Sequence, residues 1–395
     1  MHGVIATAGF VTGLIARFDF TTLTPGAVAT LPGGLLLTRA SSATVQTATD
    51  TVVTSGIGND VARAGRRVTA DLVGLLLEEA RTNSHPWSRA PNNAGLSAGS
   101  GDTYPLTGQP SPDGTNNAVE VVVTSGNLSK FALTLGIGAV SRVGSLWVIK
   151  GPGSGLYQAS NFVGGSTAQG SAVFGTAGAT WSRAITPSFL FTAGQNVGLI
   201  TNDGRAVTYT GGENVARARD AEFDLIQWET GKFATEVQVT AGAAATRAGE
   251  RLRYPTASQL VSHGRIAMAT SVRPKGAVTD YSSNMRLFTD ANDATTYAEI
   301  SCTTGQVIVS IGGSTYTTPA AMSWSPYDSV NIWVEAGGGV QHTLVTYQVN
   351  GAPTVLLGES GTAQGNIPAT GALDLLCSGT AQQFSSWITA LEFYR

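Results

Sequence analysis

The chain reads as all-β: two β-sandwich domains of jelly-roll type following an irregular N-terminal region. Three observations predict this. Charged residues make up only 12% of the sequence while glycine supplies 49 positions, and Thr, Ser, Ala and Val stand where a helical protein carries Glu, Lys and Leu. From Ala118 onward, apolar and polar residues alternate in short runs divided by Gly-, Asn- and Asp-rich turns, the period-two pattern of half-buried strands. At 395 residues the chain exceeds one ordinary domain, and an apolar content of 42% lets each unit bury a core. The expected divisions are residues 1–84, 85–250 and 251–395.

In the first division the opening MHGVIATAGFVTGLIARFDF is apolar. It lacks the basic segment of a secretory signal, and Arg17, Phe18 and Asp19 interrupt it before a span of about 20 residues is complete. A strand or subunit-contact segment is expected. Breaks at Thr24-Pro25-Gly26, Leu31-Pro32-Gly33-Gly34 and Ser55 to Asn59, with few aromatics, leave too little to close a core, so the region is expected to order against neighbouring subunits. Its densest piece runs from Val68 to Trp87. There Leu72, Val73 and Leu75 to Leu77 meet Glu78-Glu79 and then Arg81-Thr82-Asn83. Gly74 opposes a helix interior and His85-Pro86 favours extended backbone, so a buried strand is predicted.

In the second division Ser111-Pro112-Asp113-Gly114 has turn chemistry, with Pro and Gly presetting its dihedrals. Strands are expected at Ala118 to Val123, Phe131 to Leu135, Val143 to Ile149, Ala179 to Ile185, Val197 to Thr201 and Ala206 to Tyr209, with a hairpin at Asn202-Asp203-Gly204. In the closing strand, Asp220 to Trp228, alternation sets Ala221, Phe223 and Leu225 on one face and Asp220, Glu222 and Asp224 on the other. The run from Glu229 to Arg247 reads as a linker. In the third division Ile266 to Val272, Ala298 to Cys302, Val307 to Ile311, Val330 to Val334, Val345 to Val349, Leu373 to Cys377 and Trp387 to Phe393 alternate, and Asn350-Gly351 marks a hairpin.

Several function classes are excluded. With a net charge of −3 and no basic cluster beyond Arg66-Arg67, the chain lacks the positive surface that drives nucleic-acid binding. Cys302 and Cys377 share strand parity with apolar neighbours and read as buried free thiols; with four scattered histidines they make no metal-ligand spacing. No glycine-rich loop follows a strand and opens a helix, so no phosphate cradle and no cofactor are expected.

Three constellations could carry chemistry. Asp220, Glu222 and Asp224 suit a glycosidase, whose two carboxyls stand about 5 to 5.5 Å apart for retention and 6.5 to 9.5 Å for inversion; a solvated strand face is the plainer reading. Asp290, Asn292 and Asp293 offer hard oxygens for Ca²⁺, and the plainer reading is a hairpin turn rich in Asx residues. Sugar rings pack on exposed aromatic faces rimmed by polar groups, for which Tyr281, Tyr297, Tyr316, Trp324 and Tyr327 are the candidates. Tyr297 and Trp333 both have outward parity; Trp87, Trp147, Trp181 and Trp228 are assigned to packing.

Two stretches, GLLLEEARTN at Gly74 to Asn83 with Pro112-Asp113-Gly114-Thr115 following, and QWETGKFATEVQVTAGAAATR at Gln227 to Arg247, resemble a module of bacteriophage virion proteins that opens on such a strand and closes on such a segment. The resemblance covers roughly residues 35 to 250 and implies a carbohydrate-binding-module-like sandwich. Residues 255 to 395 resemble a concanavalin A-like lectin or laminin-G sandwich. The arrangement is similar to head-spike and tail fibres of tailed phages and to head spikes of gene transfer agents. It implies a homo-oligomeric virion protein, made in the bacterial cytoplasm and displayed on the particle surface, which attaches to host polysaccharide without cleaving it. Its partners would be that polysaccharide and other virion proteins, with no membrane span. A capsule-degrading glycoside hydrolase and a ligand-free decoration or connector protein are the rivals.

Overall fold

The computed structural model describes residues 13–46, 53–65, 72–89, 96–98, 103–122, 129–133, 140–150, 156–163, 168–190, 197–202, 221–338, 343–360, 365–368, 370–379 and 382–395. Its regular structure is strand, apart from single 3-10 turns such as Pro32–Gly34, Ala257–Gln259 and Val278–Asp280. The fold is all-β, built as β-sandwich domains.

The C-terminal sandwich packs two antiparallel sheets. Sheet I runs in the order Gly26–Val28, Ala62–Gly65, Gly74–Leu77, Ser386–Tyr394, Arg265–Pro274, Val330–Gly337, Thr343–Val349, Val355–Ser360, and Leu14–Asp19 also pairs with Ser386–Tyr394. Sheet II runs Ser314–Ala321, Gln306–Ile311, Tyr297–Ile300, Met285–Asp290, Leu373–Leu375, Arg251–Tyr254, Leu36–Thr38. Alternation places Met268, Ile332, Val334, Leu391 and Phe393 on the inner face of one sheet against Met285, Leu287, Ala298, Ile300, Val307 and Val309 of the other, in one continuous core. Asn350 and Gly351 both take positive φ, as the predicted hairpin requires.

The described N-terminal strands complete this sandwich, which corrects the expectation that they order against neighbouring subunits. Phe18 stands opposite Leu391, Leu76 opposite Trp387, and Leu37 opposite Leu252. A Gly- and Thr-rich segment needs an apolar surface to order upon. It finds one within its own chain, adding Phe18, Phe20, Leu31, Leu35, Leu37, Leu75 and Leu77 to the core.

The middle sandwich is inserted between two strands of the other. Sheet III orders Thr103–Gln109, Ala118–Val122, Ala221–Thr230, Ser141–Lys150, Ser182–Ile185, with Arg81–Asn83 beside Ala221–Thr230 and Ala245–Arg247 beside Arg81–Asn83. Sheet IV orders Ala168–Thr176, Leu156–Val163, Val197–Asn202, Ser129–Leu133, Leu96–Ala98. Trp147, Trp181, Leu225 and Val237 share a core, and Trp228 is also buried. The strands Leu156–Val163 and Ala168–Thr176 are additions to the expected set; the expected strand at 206–209 and the hairpin at 202–204 fall wholly or partly outside the described residues, as does Asp220.

Gly74–Leu77 belongs to sheet I and Arg81–Asn83 to sheet III, so GLLLEEARTN leaves one sandwich and enters the other. Ala245–Arg247 and Arg251–Tyr254 make the return. The two crossings lie side by side, the Glu250 N–H donating to the Glu78 carbonyl at 3.1 Å. The expected linker from Glu229 to Arg247 is therefore packed structure, with Phe233, Val237 and Arg247 buried.

Candidate functional site

The motif residues converge on the joint between the sandwiches and point inward. Arg63 grips Glu250 with two nitrogens, Nε to Oε1 at 3.0 Å and Nη2 to Oε2 at 2.6 Å, while Arg39 Nη1 reaches Oε1 at 2.5 Å. Glu78 Oε2 lies 3.0 Å from Arg63 and 2.9 Å from Arg247, and its Oε1 lies 2.5 Å from Lys275 Nζ. The Glu78 N–H donates to Glu250 Oε2, and Lys275 stands 4.3 Å from the Trp387 ring centre. Glu79 pairs with Arg81. Asn83 uses its whole amide: Oδ1 accepts from the N–H groups of Trp228 and His85, and Nδ2 donates to the carbonyls of Ile226 and Gln238. Gly231 takes φ +131°, and the Arg81 guanidinium fills the space its Cβ would need.

A sealed network of this kind holds its charge states firmly. Burial opposes the Glu78 carboxylate, but Arg247, Lys275 and Arg63 outweigh it and hold the group well below the usual carboxylate range. Burial likewise opposes the Arg63 charge, and Glu250 and Glu78 outweigh it, keeping the guanidinium above its ordinary value. Glu79 is pushed up by burial, with Arg81 pulling against it. Among the described residues, the side chains of Arg39, Arg63, Glu78 and Glu250 have no exposed surface to offer a ligand.

The predicted sites fall in quite different surroundings. Tyr281 and Trp324 are core residues, a correction to their assignment as sugar platforms: Tyr281 packs between Phe233 and Phe384 and donates to the Ser385 carbonyl, and Trp324 donates to the Gly276 carbonyl. Both lie outside named strands, where parity says nothing. Tyr316 is half-buried, its hydroxyl over Gly358 at the sandwich edge. Tyr327, at φ +67°, leans on Trp387. Trp333 has the outward parity expected, yet only 6% of it is exposed, with Tyr394 at 5.1 Å between ring centres.

The acidic strand is broken by a bulge: Trp147 pairs with Asp224 but Ser145 with Gln227, and Leu225 takes φ +50°. Asp224 is thereby fully buried. Burial pushes its carboxyl up to about 6, with Ser111 and the Leu225 backbone pulling against it. Asp224 is therefore not on a solvated face, a correction to that reading, while Glu222 is half-buried.

In the loop after Met285–Asp290, Asp290 Oδ1 accepts from the Asn292 N–H, and Asp293 accepts from the N–H and hydroxyl of Thr295 and the hydroxyl of Thr296. That is Asx-turn chemistry. The described residues contain no group of three or more His, Cys, Asp or Glu able to hold a metal ion. Cys302 and Cys377 are free thiols, the first half-buried and the second buried.

Tyr297 belongs to an organised surface, the outer face of sheet II. One row crosses all seven strands: Thr315, Ser310, Tyr297, Thr289, Asp374, Arg253, Leu36. Beside it, Thr317, Ile308, Glu299 and Arg286 form a second row, with Arg251 opposite Thr38 farther along the face. The Arg286 guanidinium lies 3.6 Å from the Tyr297 ring centre, its Nε 3.1 Å from Glu299 and 2.9 Å from Gln382. Arg251 Nε and Nη2 and Arg253 Nε bind Asp374 at 2.8 to 3.0 Å. The acids lie beneath and the cations above: Asp374 and Glu299 are buried, whereas the side chains of Arg251 and Arg253 are 27% and 30% exposed. Burial pushes the Asp374 carboxyl up, partly offset by Arg253, and burial lowers the Arg286 guanidinium against the pull of Glu299. Ser310 and Thr289 are buried, their hydroxyls donating to the Thr295 and Cys377 carbonyls, so the face presents Thr315 and Thr317 toward one edge, the half-buried Tyr297 ring, and the Arg251 and Arg253 guanidiniums toward the other. Sequence reasoning missed these arginines, although RLRY and MRLF alternate charge with apolar residues as an outward strand face should.

No family model and no curated protein sequence matches the chain. Among solved structures it is similar to the N-terminal CBM22-1–CBM22-2 tandem of Paenibacillus barcinonensis Xyn10C, at 10% identity and a TM-score of 0.27, covering 81% of this chain and 98% of that one. It is also similar to the tail fibre protein gp63.1 of an E. coli phage, at 9% identity and a TM-score of 0.21, covering 81% of this chain and 40% of that one. Neither likeness decides a function.

Proposed function

We propose that this chain is an adhesive protein of a phage-type particle, of head-spike or tail-fibre kind, which binds host-surface polysaccharide on the outer face of sheet II and does not cleave it. The observation that carries the reading is the pair of cross-strand rows through Tyr297, where the part-exposed Arg251 and Arg253 donors are held in place by buried Asp374 and need little ordering on binding. The exposed Thr315 and Thr317 hydroxyls, the guanidinium donors and a single tyrosine suit saccharide hydroxyls and ring faces, and the virion-module motifs supply the particle context. The cleavage rival loses support because Asp224 is sealed from any substrate.

The test is binding of the purified full chain to a panel of bacterial surface polysaccharides, together with competition against particle adsorption. Binding that drops several-fold in Tyr297→Ala, with an unchanged melting transition, is the expected result. Silence across the panel and no competition would favour a ligand-free connector. Sugar release lost in Asp224→Asn would restore the hydrolase.

A further inference from the structure

We infer that the ligand of the sheet II face is an acidic polysaccharide, whose carboxylate, sulfate or phosphate groups are received by Arg251 and Arg253; this rests on the adhesive reading of the same face. A guanidinium carries five N–H donors in a fixed fork. Arg253 spends only Nε on Asp374, and Arg251 spends Nε and Nη2. Among the described residues, both terminal nitrogens of Arg253 and Nη1 of Arg251 have no protein acceptor. Their shared acid is buried, so an arriving anion meets N–H groups while the carboxylate stays behind them. Arg286, two strand spacings from Arg251 and thus about 10 Å away at the backbone, is matched by Glu299 and contributes its stack on Tyr297. The nearest further acids are Asp290 and Asp293 at the hairpin end, where the oxygens of Asp293 are already engaged by Thr295 and Thr296.

Two features favour a saccharide over other anions. The accessible part of the rows carries Thr315, Thr317, the arginines and the tyrosine with few apolar side chains, Ile308 and Leu36, whereas a protein interface needs an apolar centre. In a chain of net charge −3, three arginines on one face give too few phosphate contacts for nucleic acid.

The experiment immobilises polygalacturonate (carboxylates), dextran sulfate (sulfate esters), unmodified dextran and a DNA duplex, and measures binding of the full chain, Arg253→Gln and Arg253→Lys over a salt series. Asp374 keeps Arg251 in both variants, and thermal melts verify folding. The inference predicts binding to at least one acidic polymer over dextran and DNA. It further predicts at least a fivefold loss in Arg253→Gln, a smaller loss in Arg253→Lys and weakening with salt. Preference for polygalacturonate assigns carboxylate; preference for dextran sulfate assigns an ester. Equal binding to DNA, or acidic-polymer binding that ignores Arg253→Gln, overturns the inference. Binding to neutral polysaccharides that depends on Tyr297 and not on Arg253 overturns it too, while leaving the adhesive function standing. Binding to no polysaccharide at all sinks both.

Discussion

The joint and the sheet II face use the same pairing of arginine with carboxylate, to opposite ends. At the joint Arg39, Arg63, Glu78 and Glu250 have side chains with 0% exposure, and each charge is shared among several partners. On the face only the acid is sealed, and the arginine keeps donors to spare. Where both partners are sealed the pair binds protein to protein; where one is left at the surface it can receive something from outside.

The largest expected effect comes from breaking the joint. Glu250→Ala removes the carboxylate from Arg39 and leaves Arg63 with Glu78 alone in a dry interior, and removing one partner of a buried pair costs about 3–5 kcal/mol; urea unfolding measures it. A loss under about 1 kcal/mol would break the comparison, since exposed pairs lose that little. Next, Asn83→Ala removes an amide that serves two N–H groups and two carbonyls at the entry to the middle sandwich, and should cost about 1–3 kcal/mol by the same assay.

Asp224 sharpens the contrast through pH. Its folded carboxyl titrates near 6 against an ordinary value of 3.8, so the stability present below the lower value is lost as pH rises through the upper one. Asp224→Asn should melt higher than the parent at pH 8, by on the order of 2 kcal/mol, with the gap closing by pH 4. His85 runs the other way: burial drops its imidazole to about 4, so its contribution is present above about pH 6.5 and is lost as pH falls toward 4. An Asp224→Asn variant whose advantage persists unchanged at pH 4 would rule out the buried charge as its cause. The smallest effect belongs to the face itself: Arg253→Gln should change stability by less than about 1 kcal/mol, checked by thermal melts.

Much of the fold was legible in the sequence and much of the site was not. The apolar run ending at Leu77 declared a buried strand, and parity declared Tyr297 an outward residue. Trp333 shows the limit of parity, which fixes direction and is silent on the Tyr394 ring beside it. Tyr281 and Trp324 sit in segments with no alternation to read. The bulge at Leu225 shifts the register by one residue, which no pattern of Asp220 to Trp228 announces. Pairing of Leu14–Asp19 with Ser386–Tyr394 spans nearly the whole chain, and contacts so distant leave no local signature. The convergence of Arg63, Arg247 and Lys275 on Glu78 joins positions so far apart in the chain that no local pattern announces it.

The hydrogen bond from Glu250 to Glu78 closes the base of the inserted body, so its entry and exit are neighbours. That makes the middle sandwich a cassette. A foreign domain whose termini lie one strand spacing apart could be grafted between those two glutamates, provided it replaces the contacts that Phe233, Glu236 and Arg247 make with Tyr281, Lys275 and Glu78.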